Sequence, residues 1–178
     1  MKLRLLLPFL VLSAAVPSTA EPLPEPLMIS RVEPWAQALS RDALARGEPL
    51  DAGLRCAARA LGVRDPAAVR ILAVDALPLP EEPSLRMAAR QSGISAERAG
   101  AMTLGHAILV LHEERDDQRL LRHELRHVAQ YEQAGGIAPF LARHLPDLLQ
   151  HGYAQSAYEV DARAHEARIA PCEAEQGS

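Results

Sequence analysis

The strongest constraint on what this chain can fold into is the helix it must build around His123-Glu124-Leu125-Arg126-His127. Residues 118–133, QRLLRHELRHVAQYEQ, hold no Pro or Gly and are mostly good helix formers. Asp116 and Asp117 offer an N-cap and place negative charge at the positive end of the helix dipole. Gly135-Gly136 supplies a stop. Leu121, Leu125 and Val128 then form a stripe about 100° or more from His123, so one side of the helix faces a core. On another side His123 and His127 stand one turn apart, where both imidazoles reach a single metal ion. Glu124 lies beside them, placed to act on a metal-bound water. The fold must therefore give this helix a packed apolar face and a second face that other elements complete. Arg126, about 60° from His123 on a helical wheel, falls at the edge of that second face, to pair with a carboxylate or reach solvent.

The other elements follow from periodicity and breakers. Residues 21–30, EPLPEPLMIS, are Pro-rich and predict an extended tether. Val32, Trp35, Ala36 and Leu39 predict an amphipathic helix over 31–46, with Ser30 as its cap, broken by Gly47-Glu48-Pro49. Asp51 caps a second helix that ends near Gly62. Val69 to Val74 is short, β-branched and apolar, hence a strand. An irregular connection over 77–83 leads to a short helix from Ser84 through Gln91. Met102 to Leu104 and Ala107 to Leu111 predict two strand segments meeting at Gly105, the second running straight toward the motif helix. A strand so placed is a candidate to pair with an extended peptide through main-chain hydrogen bonds. Beyond Gly136, Ile137 to Gln150 predicts a helix interrupted at Pro146, His151-Gly152-Tyr153 a turn, and Tyr158 to Ile169 a final helix. The expected class is α+β, mainly helical: a minimal zincin-like domain with a short strand pair or small sheet packed on the motif helix and a second, ligand-bearing helix.

Composition bounds the setting. Lys2 and Arg4 precede an apolar run of about a dozen residues, too short for a typical membrane span, and Ser18-Thr19-Ala20 forms a small-residue cleavage site. Residues 1–20 are thus expected to be a signal peptide, which places the product in the periplasm or outside the cell. Residues 31–172 are expected to form one domain and 173–178 a tail. The formal net charge is −4, two units more negative without Lys2 and Arg4, so nothing points to nucleic acid as a partner. No transmembrane segment is expected in the mature chain. Cys56 and Cys172, the two cysteines, are expected to form a disulfide in an oxidising compartment.

Two histidines leave a catalytic metal site one protein ligand short. The metzincin pattern is absent, because positions 130 and 133 are both Gln. The common remaining arrangement takes a carboxylate from a second helix. Downstream candidates are His144, His151, Glu159, Asp161, His165 and Glu166. Glu159 fits best, in the first turn of the last helix with the small residue Ala162 on its face, which permits close approach of two helices. His165, more than about 200° from Glu159 on the wheel, stays open as the runner-up, with Asp161 and His151 behind it.

The stretch from His123 through Val128, Gln130 and Gly136, followed by Gly152-Tyr153 and Glu159-Val160-Asp161-Ala162, resembles a group of small bacterial gluzincin-like domains. Thr103 to Ile108 resembles the strand that precedes the motif in that group. The resemblance covers about residues 100–166. It implies one zinc ion held by His123, His127 and Glu159, with Glu124 catalytic. The expected activity is zinc-dependent hydrolysis of a peptide or protein substrate. Glu124 is the general base, Tyr153 or Tyr158 an oxyanion donor, and Gln130 and Asp161 support the ligands. A zinc-binding scaffold that retains the fold without turnover is the competing expectation.

Overall fold

The computed structural model describes residues 24–91 and 99–167. Among them the chain is α+β and mainly helical, with a small mixed sheet of four strands. Its order is α1 (Glu25–Arg46), β1 (Glu48–Pro49), α2 (Ala52–Ala60), β2 (Arg70–Val74), α3 (Pro83–Gln91), β3 (Ala101–Leu104), β4 (Ala107–Leu111), α4 (Gln118–Ala134), α5 (Ile137–His151) and α6 (Ala157–His165). Short 3-10 turns at His112–Glu114 and Tyr153–Gln155 lead into α4 and α6. No described helix is long and apolar enough to cross a membrane.

The sheet runs β1-β2-β4-β3. β2 and β4 are parallel, Leu72 opposite Leu109, while β1 and β3 are antiparallel flanks. The β3–β4 hairpin turns through Gly105-His106, and Gly105 takes the positive φ of 67° that a tight two-residue turn asks of its first position. Because side chains alternate across a sheet, each face builds its own core. Ile108, with Ile71, packs on Leu54, Ala57 and Ala58 of α2, on Leu61 just past its end, and on Leu121, Leu125 and Val128 of α4. Leu72, Leu104 and Leu109 face the other way, onto Ala36 and Ala43 of α1 and Leu141 of α5. The sheet is thus sandwiched between helices, with α4 on one face and its apolar stripe buried as expected.

The helix boundaries follow their caps. Asp51 accepts from the Leu54 amide at 2.7 Å and starts α2. Asp117 accepts from Arg119 and Leu120 at 2.8 and 3.1 Å and starts α4. Gly135, with φ of 98°, ends α4, its N–H and that of Gly136 both reaching the Tyr131 carbonyl.

Three expectations are corrected. The segment read as an extended tether is helical from Glu25 onward, because proline is tolerated in a first helical turn, where its missing N–H has no partner to lose. Ser30 therefore lies inside α1, not at its cap, and donates to the Leu27 carbonyl at 2.9 Å. α5 runs unbroken through Pro146, since Phe140, Leu141 and Leu148 on either side of it are buried on the same body. β1, within the stretch read as a breaker, adds a strand that was not expected. Residues 1–23, which include the expected signal peptide, and Cys172, one end of the expected bridge to Cys56, lie outside the described residues.

Candidate metal centre

α4 presents His123 and His127 to α6, and Ala162, fully buried on α6, lets the two helices approach closely. Glu159, in the first turn of α6, then meets both imidazoles. Its Oε2 lies 3.3 Å from His123 Nε2 and its Oε1 3.3 Å from His127 Nε2. The two Nε2 atoms are 3.0 Å apart. All three residues are buried, at 7, 8 and 3 % exposure.

These separations suit a metal. Ligand atoms about 2.0–2.1 Å from a tetrahedral ion lie about 3.3 Å from one another. A second observation concerns Glu159 Oε2, a buried oxygen with no hydrogen-bond partner among the described residues. A buried carboxylate oxygen in that state is costly unless a cation meets it. The group His123, His127 and Glu159 could hold a metal ion.

The remaining ring nitrogens are fixed from behind. His123 Nδ1 donates to Glu166 Oε1 at 2.9 Å. Glu166 is held in turn by Arg119 Nε at 2.5 Å, and its carbonyl accepts from Arg122 at 2.9 Å. His127 Nδ1 donates to Gln130 Oε1 at 2.8 Å. With both Nδ1 atoms acting as donors, both Nε2 lone pairs face the same point, the tautomer a metal requires. Burial pushes the Glu159 carboxyl up, but the two imidazoles outweigh it and hold it well below the usual carboxylate range. For His127 without a metal, burial disfavours the charged ring, yet the Glu159 bond, the Glu124 and Glu159 charges and the Gln130 bond raise it to about 9, so its Nε2 carries a proton that a bound metal would displace. An excess of negative charge therefore gathers around the two rings, as it should where a cation is to sit.

Glu124 is buried beside the imidazoles, its Oε2 accepting from Thr103 Oγ1 of β3 at 2.6 Å. A cleft of about 310 Å³ opens there, with His123, Glu124, Tyr153, Arg163 and Glu166 in its wall and Gly100 and Ala101 along its β3 side. Tyr153 is 37 % exposed. Burial, then the Glu159 and Glu124 charges, push its phenol up, so it stays a hydrogen-bond donor at neutral pH. Arg163 approaches Glu159 Oε2 at 3.7 Å and donates to the Ala154 carbonyl.

The other expected site residues are placed as follows. Tyr158 packs edge-on against Phe140 and His144, and its carbonyl accepts from Gln130 at 3.0 Å; its ring joins an aromatic cluster and not the cleft wall. Asp161 accepts from Gln130 at 2.8 Å and from Arg126. Of the alternative third ligands, His151 pairs with Asp147 on the outside of α5 and His165 donates back to the Asp161 carbonyl at 2.8 Å. His144 is pushed down to about 4, first by burial and then by the nearby His127 charge, and stands over the Phe140 ring. None of these joins the metal group. Sequence reasoning assigned no role to Thr103 and entered Glu166 only as a possible ligand. The Thr103 signal lay in its position in the strand before the motif. The Glu166 signal lay in its spacing of seven from Glu159, two turns further along the same helical face.

Residues 84–135 match the family model of the eCIS core domain, a zincin-like family associated with metallopeptidases. The match runs from α3 to the end of α4, takes in His123, Glu124 and His127, and stops short of α6 with Glu159. No curated protein and no solved structure matches the chain. The match covers 52 of the 178 residues and includes two of the three residues of the candidate metal group.

Proposed function

We propose that this protein is an exported zinc-dependent hydrolase, a metallopeptidase of gluzincin type, with Glu124 as general base. One observation carries the reading. Two imidazole nitrogens and a carboxylate with an oxygen that accepts no hydrogen bond among the described residues converge in a buried pocket, with an additional carboxylate, Glu124, beside them and outside the ligand set. A closed structural site has four protein ligands and no use for such a carboxylate.

Zinc held by His123, His127 and Glu159 would supply Lewis-acid chemistry, lowering the pKa of a water to near 7 and polarising a carbonyl. Everything else falls to the protein. Glu124, steadied by Thr103, takes the proton of the attacking water and passes it to the leaving amine. Tyr153 donates a hydrogen bond to the oxygen on which charge develops. Among the described residues β3 is the outermost strand on its side of the sheet, so an extended peptide can pair with its outer edge and pass Glu124. The strand expected to take this part was the one leading into the motif helix; that strand, β4, is flanked on both sides, and the outer position among the described strands belongs to β3.

Metal analysis of the purified chain should find about one zinc per molecule, lost in His123→Ala. Less than about half an equivalent in the unaltered protein would sink the centre. Digestion of a peptide library should yield products absent with Glu124→Gln. Identical product profiles with zinc retained would replace the peptidase by a metal-binding scaffold.

A further inference from the structure

Arg126 stands between the two motif histidines, and its side chain is largely buried, at 17 % exposure. Its Nε and Nη2 donate to the two carboxylate oxygens of Asp161 at 2.7 and 3.2 Å, and its Nη1 donates to the Leu61 carbonyl, just past the end of α2, at 2.9 Å. One guanidinium thus ties α2, α4 and α6. Asp161 Oδ2 also accepts from Gln130 Nε2, which donates a second time to the Tyr158 carbonyl. Both amide hydrogens of Gln130 are then committed, so only its oxygen is left for His127. His127 must answer with Nδ1–H, at 2.8 Å, leaving its Nε2 to face the point it shares with His123 and Glu159.

We propose that Arg126 is a positioning residue for the metal centre, fixing the orientation and tautomer of His127 through Asp161 and Gln130. The proposal rests on the metal reading of the site. Without the guanidinium, Asp161 is free to swing toward His165, whose Nδ1 lies 3.4 Å from Oδ1, and Gln130 loses one of the two acceptors that decide which way its amide faces. Lysine cannot stand in, because a single ammonium does not reproduce the planar fork that spans two carboxylate oxygens and a carbonyl. The same contact explains why a charged residue is accommodated at a largely buried position beside the ligands: its charge is paired and all three of its nitrogens donate.

The test uses the full chain stripped of metal. Zinc affinity is measured by competition with a chromophoric chelator, and cobalt is bound in place of zinc to read the ligand field by visible absorption. Arg126→Met should weaken zinc binding about tenfold, the lower end of the roughly 10–100-fold range for outer partners of metal ligands, and should alter the cobalt spectrum. Arg126→Lys should fall between Met and the unaltered chain. If Arg126 acts through Gln130, the double variant Arg126→Met, Gln130→Ala should bind no more weakly than Gln130→Ala alone. A purely structural arginine would lower the melting temperature of the metal-free protein and leave affinity and cobalt spectrum unchanged; that result overturns the proposal, as do losses that add in full. If Arg126→Met fails to fold, the lysine variant carries the same comparison. Failure of the unaltered chain to take up zinc would overturn the metal reading itself, together with this inference.

Discussion

At the scale of single residues, the centre depends on side chains that never touch the metal position. Glu166 divides its carboxylate between His123 Nδ1 and Arg119 Nε. Glu166→Ala should therefore cost zinc affinity by about 10–100-fold, and Glu166→Gln less, as competition with a chelator will show. Unchanged affinity in the alanine variant would mean that the His123 ring is held by packing alone. Tyr153→Phe addresses turnover instead. On the proposed hydrolytic mechanism, losing this oxyanion donor should lower kcat by about 10²–10³-fold at constant zinc content; a change in KM alone would make Tyr153 a substrate contact. What was legible at this scale was local. His123, Glu124 and His127 declare themselves by spacing within one helix, and Glu159 by its place in the first turn of another beside Ala162. The partners of Arg126 and His123 were not legible, because Asp161 and Glu166 lie 35 and 43 positions away and meet them only once α6 docks.

At the scale of elements, α4 is the part on which the site depends, and its ends are testable. Asp117 satisfies two amides of the first turn, so Asp117→Ala should lower stability by about 1 kcal/mol in urea denaturation. Gly135 sits at φ of 98°, and a Cβ there would meet nothing closer than Pro139 Cγ at 3.8 Å. Gly135→Ala therefore has a purely conformational cost, about 1–2 kcal/mol, with zinc affinity unchanged. A cost near zero would show that the helix end relaxes without strain. Caps and breakers made α2 and α4 readable to within a residue or two. Prolines misled twice, each time toward a missing helix. Pro24 and Pro26 suggested an extended tether but open α1, and Pro146 suggested a break but sits inside α5. The burial of Phe140, Leu141 and Leu148 outweighs the one hydrogen bond that Pro146 removes.

At the scale of the whole molecule, the apolar core on one face of the four-stranded sheet holds α4 in place and the core on the other face seats α1 and α5, and the parallel β2–β4 pairing that separates them left no mark in periodicity. Between them, at the C-terminal end of α4, Glu132 acts as a clasp. Its carboxylate accepts from the Arg64 and Asp65 amides at 2.6 and 3.1 Å and meets His106 Nε2 at 2.9 Å, joining α4 to the loop after α2 and to the β3–β4 turn. Burial raises the Glu132 pKa, but the Arg64 amide, the His106 contact and the Asp65 amide together hold it below its ordinary value of 4.5. A carboxylate depressed in the folded state stabilises fully above its unfolded pKa and loses that contribution as pH falls through the folded one. Glu132→Gln cannot titrate, and its amide hydrogens oppose the Arg64 and Asp65 N–H groups. The metal-free protein should thus exceed Glu132→Gln in unfolding free energy above about pH 4.5, and the gap should close as pH drops further. Urea denaturation across a pH series measures it. A gap that stays constant from neutral to acid pH would show that the clasp works by shape and hydrogen-bond count, without its charge.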